Sequence, residues 1–265
     1  MVPMVLPAMA IEFRGARGAA IALCSLMLLA RADPALAAGC AFATLGEGRV
    51  AEVVDPRSFR LEDGREVRLA GIEPATRDTS ALSAIVAGKE VMLSGQDDSP
   101  DRYGRQTAFV YLASSETAVQ EQLLAQGQAL VSGTVADKDC ATVLTAAETA
   151  ARQARRGTWA QGAAIKNAES PDDILTGIGR FMVVEGKVLS VRQAGATTYL
   201  NFGRNWTRGF AVTISRRVLP SFEAAGMAVK SLENRRIRVR GWVEAHGGPR
   251  IEALRVGQIE LAGEN

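Results

Sequence analysis

The stretch Asp101-Arg102-Tyr103-Gly104-Arg105-Gln106-Thr107-Ala108-Phe109-Val110-Tyr111-Leu112 decides how the first half of the chain is read. Its opening residues close a polar segment over 95–105, and the run 107–112 that follows reads as a strand. Toward the N-terminus, Val91-Met92-Leu93 is a second strand. Residues 80–86 form a short helix ended by Gly88. Val67-Arg68-Leu69-Ala70-Gly71-Ile72 reads as one strand. Val50, Val53-Val54, Phe59 and Leu61 lead as strand residues into the turn signal Glu62-Asp63-Gly64. Toward the C-terminus, Val119, Leu123, Leu124 and Leu130 have helical spacing, and the Ala-rich segment 142–155 predicts the strongest helix, with Glu148 four residues before Arg152. That helix stops at Gly157, followed by Trp159.

Residues 161–176 are rich in Ala, Gly, Asn, Ser, Pro and Asp and read as a linker. Beyond it, strands are predicted over 183–191, 197–202, 210–215, 236–244 and 251–254, with a helix near 219–225 between the third and fourth. That order is the one found in an OB fold, a small five-stranded barrel. The predicted fold class is therefore mainly β with packed helices.

The chain has 265 residues, 47% hydrophobic and 23% charged, an ordinary globular composition. Its single histidine, His246, lies in a Gly-Gly-Pro hairpin turn and is not read as a ligand. One His argues against a His-based nuclease, a Ser-His-Asp hydrolase and most zinc enzymes. No phosphate-loop motif G-x-x-x-x-G-K-[ST] occurs, so nothing supports a P-loop ATPase. Residues 1–37 have the order of a cleavable export signal: Arg14 and Arg17, an apolar run over 19–30, then Ala35-Leu36-Ala37. The expected location is periplasmic or secreted, and a lipoprotein cysteine at Cys40 is the alternative. No other segment is apolar enough to span a bilayer. Removing the signal takes Cys24 with it and leaves Cys40 and Cys140, read as one disulfide in an exported protein; two free thiols, or a lipidated Cys40 and a lone Cys140, are the other readings.

Charge is unevenly placed. Residues 38–170 hold 14 basic and 18 acidic side chains, and residues 177–262 hold 14 and 6. The basic second half suggests an anionic partner. Within it, Arg236, Arg238, Arg240 and Trp242 alternate with Ile237, Val239 and Val243, which puts the arginines on one face of a strand. That face is either simply solvated or a groove for a phosphate backbone or another polyanion, with Tyr199, Trp206 and Trp242 as stacking groups.

Four motifs, in order along the chain, resemble the staphylococcal nuclease (thermonuclease) family. Asp101-Arg102-Tyr103-Gly104-Arg105 looks like its D-[KR]-Y-G-R signature, and 67–72 looks like its V-R-L-x-G-I-D segment. Residues 119–131 look like its V-N-E-x-L-V-x-x-G-x-A-x-V helix. Ala147-Glu148-x-x-Ala151-Arg152-x-x-Arg155-x-Gly157-x-Trp159 looks like its closing helix. The resemblance covers about 49–160. It implies an OB-type barrel with packed helices over 38–160, ahead of the linker 161–176 and a basic OB-like domain over 177–262.

In that family carboxylates hold Ca²⁺, an acid helps activate water, and two arginines meet the phosphate. Arg68 and Arg105 match the two arginines. The metal-ligand pattern D-G-D-[ST] is here Asp55-Pro56-Arg57-Ser58, so Arg57 stands where a metal-binding Asp is implied. The pattern G-I-D-x-P-E is here Gly71-Ile72-Glu73-Pro74-Ala75-Thr76. Glu73 can stand in for the Asp, but the catalytic Glu position is Thr76, or Ala75 if one residue is gapped. Asp55 and Glu73 alone make a weak metal site, because an arginine beside it repels the ion. No cofactor is therefore expected unless the site is rebuilt around Ca²⁺. Three functions follow: a degenerate nuclease that binds nucleic acid or another polyanion, an active nuclease with a rearranged acid such as Asp78, and an envelope module that meets a protein or glycan. The oligomeric state is not legible.

Overall fold

A computed structural model describes residues 39–40, 42–160, 162 and 164–263. The export signal expected over 1–37 lies outside the described residues, as does Cys24. The described residues belong to one compact unit.

The first half runs β1 (Ala43–Asp55), β2 (Ser58–Leu61), β3 (Glu66–Leu69), β4 (Ile72–Pro74), α1 (Ser80–Val86), β5 (Glu90–Gly95), β6 (Arg105–Leu112), α2 (Val119–Ala125), β7 (Ala129–Val131) and α3 (Lys138–Gln153). Strands β1, β2, β3, β6 and β5 close a barrel in that order, with only the β3–β6 pairing parallel. Period-two alternation supplies the interior: Phe59 and Leu61, Val67 and Leu69, Val91 and Leu93, and Ala108 and Val110 are all buried.

Two predicted elements are shorter than the sequence suggests. The strand read over 67–72 breaks at Gly71, whose φ is +75° and where a Cβ would meet the Val135 side chain at 2.8 Å. Only glycine accepts that turn, and it lets β4 leave the barrel and pair with β7 instead. The helix read over 119–130 ends at Ala125, and 129–131 becomes β7. In the other direction α3 begins at Lys138, because the Asp137 carboxylate accepts the Cys140 backbone N–H at 2.9 Å and caps the helix. Cys40 and Cys140 are disulfide-bonded across 100 residues, with Cα atoms 4.3 Å apart. The bond ties the chain just before β1 to the first turn of α3.

The second half holds β8 (Ile165–Asn167), α4 (Pro171–Leu175), β9 (Phe181–Lys187), β10 (Ser190–Ala194), β11 (Thr197–Asn201), β12 (Ala211–Ser215), α5 (Leu219–Ala224), β13 (Arg236–His246), β14 (Gly248–Glu252) and β15 (Ile259–Leu261). These strands form an eight-stranded sheet in the order β10-β11-β12-β14-β13-β9-β8, with β15 also on β13. A closed five-stranded barrel is not what the hydrogen bonds make. β8 adds parallel to β9 and carries the sheet outward, and β13 serves three partners: β9 over 236–242, β14 over 243–246 and β15 over 237–239. The two ends of the six-strand path from β10 to β9 are successive pieces of one chain run, parted only by Val188 and Leu189. β12 and β14 pair in parallel, the same departure from antiparallel pairing as β3 and β6 in the first half.

The segment 161–176 is not a free linker. It contains β8 and α4, and Ala168 and Ile174 are buried in the core of the second half. The apolar residues scattered among its Gly, Asn and Ser decide its structure, against the composition.

The two halves share a buried seam. Leu130, Ala151 and Trp159 of the first half pack with Val183 of β9. Gly133 has φ +74°, and a Cβ there would lie 2.5 Å from the Gly257 carbonyl oxygen. The backbones therefore approach where only glycine fits. Across the seam Arg240 Nη1 donates to Glu148 Oε2 at 2.9 Å, to Glu148 Oε1 at 3.1 Å and to the Val131 carbonyl at 3.0 Å. Glu148 Oε1 also accepts the Val131 N–H at 2.8 Å. Both charged side chains are almost fully buried, at 3% and 1% exposure.

Candidate functional site

The turn between β1 and β2 builds the site. The Asp55 carboxylate accepts the Arg57 backbone N–H at 2.8 Å, an Asx-type turn. The Arg57 guanidinium then donates to the Ile72 carbonyl at 2.9 Å and pairs with Glu73 Oε1 at 2.5 Å. Both side chains are close to nine-tenths buried. Burial pushes the Glu73 carboxyl above its ordinary value; Arg57 opposes that rise and Asp55 adds to it. The second oxygen of Glu73, Oε2, is buried with no hydrogen-bond partner among the described residues, as is Ser58 Oγ.

These residues line a cleft of about 600 Å³. The first half contributes Asp55, Arg57, Arg68, Glu73, Ala75, Thr76 and Arg77, and the second half closes it with Arg180, Phe181 and Trp242. Phe181 and Trp242 meet edge to face with ring centroids 6.1 Å apart. Four arginines thus face two carboxylates, one of which is already paired, and the cleft is net positive.

The residues present do not fit a calcium ion. Of the oxygen donors that the ion requires, Asp55 and Glu73 remain, and the Arg57 guanidinium already pairs with Glu73. Among the described residues no three His, Cys, Asp or Glu side chains gather as a metal-holding group. Thr76 stands where the resemblance implies an acid. It is exposed, and its hydroxyl accepts the Asp78 N–H at 3.2 Å. Asp78 accepts from the Ser80 hydroxyl at 2.6 Å and the Ser80 N–H at 2.9 Å, bonds that hold its carboxyl below the usual range. It is not among the residues that line the cleft.

The two matched arginines part company. Arg68 lines the cleft. Arg105 is held by its own turn: it donates to Asp101 Oδ2 from Nη2 at 2.7 Å and from Nε at 3.0 Å, and stacks over Tyr103 at 4.9 Å. The Arg105 side chain holds the Asp101 carboxyl down at about 2; the Arg105 and Tyr103 amides help, against some desolvation.

The arginine stripe on β13 is a correction to the groove reading. Its period-two geometry is as predicted, with Ile237 and Val239 fully buried on the opposite face. Its charge, however, is neutralised locally. Glu185 of β9 accepts from Arg236 at 2.8 Å and Arg238 at 2.6 Å. Glu260 of β15 accepts from Arg238 at 3.1 Å and Arg240 at 3.4 Å. Burial pushes the Glu185 carboxyl up, but the bonds from Arg236 and Arg238 outweigh it and the net shift is downward. Arg240 is buried at the seam. Of the stripe only Trp242 reaches the cleft, and Tyr199 lines a different pocket. His246 bonds Glu244 at 3.1 Å on the surface. Arg77, Arg180 and Phe181 were not legible as site residues, because nothing in one sequence says which strand of the second half will wall a cleft in the first.

The first half is thus an OB-type five-stranded barrel with packed helices, and it carries an arginine, Arg57, where the resemblance implies a metal ligand. Residues 67–161 match the family model described as staphylococcal nuclease homologue. The match begins within β3, after the turn that carries Asp55 and Arg57. No curated protein matches the chain.

Proposed function

We propose that this chain is an exported nuclease-fold protein that binds nucleic acid or a similar polyanion in the β1–β2 cleft and performs little or no Ca²⁺-dependent cleavage. The observation that carries the reading is the buried Arg57–Glu73 pair, which sets a fixed cation in the place of a mobile one. Arg68, Arg77 and Arg180 supply charge for phosphates, and Trp242 supplies a face for a base. Export is supported by the order of charges and apolar residues over 1–37 and by the disulfide. Among the described residues no helix is long and apolar enough to cross a membrane.

The test is an assay of the full chain on single- and double-stranded DNA and RNA with Ca²⁺, with Mg²⁺ and with chelator, beside a salt-titrated binding measurement. Binding should survive chelator, fall steeply with salt and weaken in Arg68→Ala, with no metal-dependent cleavage. Cleavage that Ca²⁺ turns on and Arg68→Ala abolishes would defeat the proposal.

A further inference from the structure

On the second half, strands β10, β11, β12 and β14 and the turns at one end enclose a separate pocket of about 590 Å³. It shares no residue with the cleft. Tyr199 lies in its floor between two cations. Arg192 is its cross-strand partner on β10, and the Arg250 guanidinium sits over its ring at 5.5 Å. Among the described residues neither arginine pairs with a carboxylate, unlike Arg236, Arg238 and Arg240, and no Asp or Glu lines the pocket. Of the acids beside Arg250 on the sheet, Glu244 is bonded to His246 and Glu252 lies opposite Thr213, outside the lining.

The rim carries Trp206, 73% exposed. An indole so exposed gains nothing from the core, yet the loop that holds it is built. Asn205 Oδ1 accepts from the Thr207 hydroxyl at 2.7 Å and from the Thr207 N–H at 3.2 Å, and the Asn205 carbonyl accepts the Gly209 N–H at 2.7 Å. The β13–β14 turn presses on this loop backbone to backbone. A Cβ on Gly248 would lie 2.6 Å from the Arg208 and Gly209 carbonyl oxygens. Both walls are thus fixed before any ligand arrives, which reduces the ordering cost of binding.

We infer that this pocket is a second, metal-independent site for single-stranded nucleic acid. Arg192 and Arg250 meet backbone phosphates, and Trp206 and Tyr199 offer faces to bases. The volume falls within the range of roughly 300–1,000 Å³ that holds one small ligand, so it takes a nucleotide or two at a time. A duplex hides its base faces within the stack and offers Trp206 nothing to stack on. An acidic glycan matches the charge but has no flat π-face to lie between a guanidinium and an indole.

The full chain carrying Trp242→Phe leaves Trp206 as its exposed indole, Trp159 being buried. This protein is titrated with an oligothymidylate of about eight nucleotides, within the usual span for such a site. The oligonucleotide should quench Trp206 emission. Arg192→Glu with Arg250→Glu should weaken that binding at least about tenfold, as expected when phosphate contacts are reversed in sign, with the circular dichroism unchanged. Arg68→Ala should leave the quenching in place, so failure of the cleft and failure of this site are told apart. No quenching, quenching lost equally in Arg68→Ala, or equal quenching by a duplex, polyphosphate or a sulfated glycan at matched salt would each overturn the inference.

Discussion

Arg57 is buried with Glu73, and neither can be removed alone without leaving a charge unmatched. Breaking one partner of a buried pair typically costs roughly 3–5 kcal/mol. Arg57→Ala is expected to lose stability of that order in urea unfolding, and Arg57→Ala with Glu73→Gln should recover most of it. Arg57→Asp places a third carboxylate beside Asp55 and Glu73; Ca²⁺ should then raise the melting temperature of that variant and leave the parent unchanged. Asp101 acts on the acid side. Its folded pKa of about 2 lies below the ordinary 3.8, so its bonds to Arg105 contribute above roughly pH 4 and are lost as pH falls toward 2. Asp101→Asn should flatten that part of the melting temperature profile against pH.

Along β13, three arginines with one spacing have three different surroundings. Arg236 is half exposed and its pair with Glu185 is a surface pair, worth about 1 kcal/mol or less. Arg240 is buried against Glu148, and Arg240→Ala should cost roughly 3–5 kcal/mol, while Arg236→Ala barely moves the denaturant midpoint. The alternation that put these residues on one face was legible in sequence because it is local. Their neutralisation was not, because Glu185, Glu260 and Glu148 come from strands and a helix 20 to 92 residues away. The same limit explains the other misreadings. The barrel strands and α1 follow local patterning. Gly71 and the buried Ile174 depend on what packs against them, so the split strand and the structured 161–176 segment were hidden. That Arg57 and Thr76 depart from the motifs the sequence resembles is a matter of residue identity and is read directly, whereas the closing wall of Arg180, Phe181 and Trp242 is a matter of assembly.

The whole molecule has two β-rich halves joined by a seam that includes Trp159, the Gly133–Gly257 approach and a buried ion pair. Such a seam couples their unfolding, so one transition should be seen by near- and far-ultraviolet circular dichroism alike. Reducing the Cys40–Cys140 bond opens a loop of 100 residues. In the chain-entropy model that costs up to about 4.7 kcal/mol, and the midpoint should fall without the transition splitting.

The Arg240–Glu148 contact also bears on inheritance. Each residue is safe only in the presence of the other, and they belong to different halves. A recombination event that joined either half to a foreign neighbour would strand a charge in a dry interior. Descendants of this chain should therefore pass the two halves on together, and where one of these two positions drifts, the other should change with it.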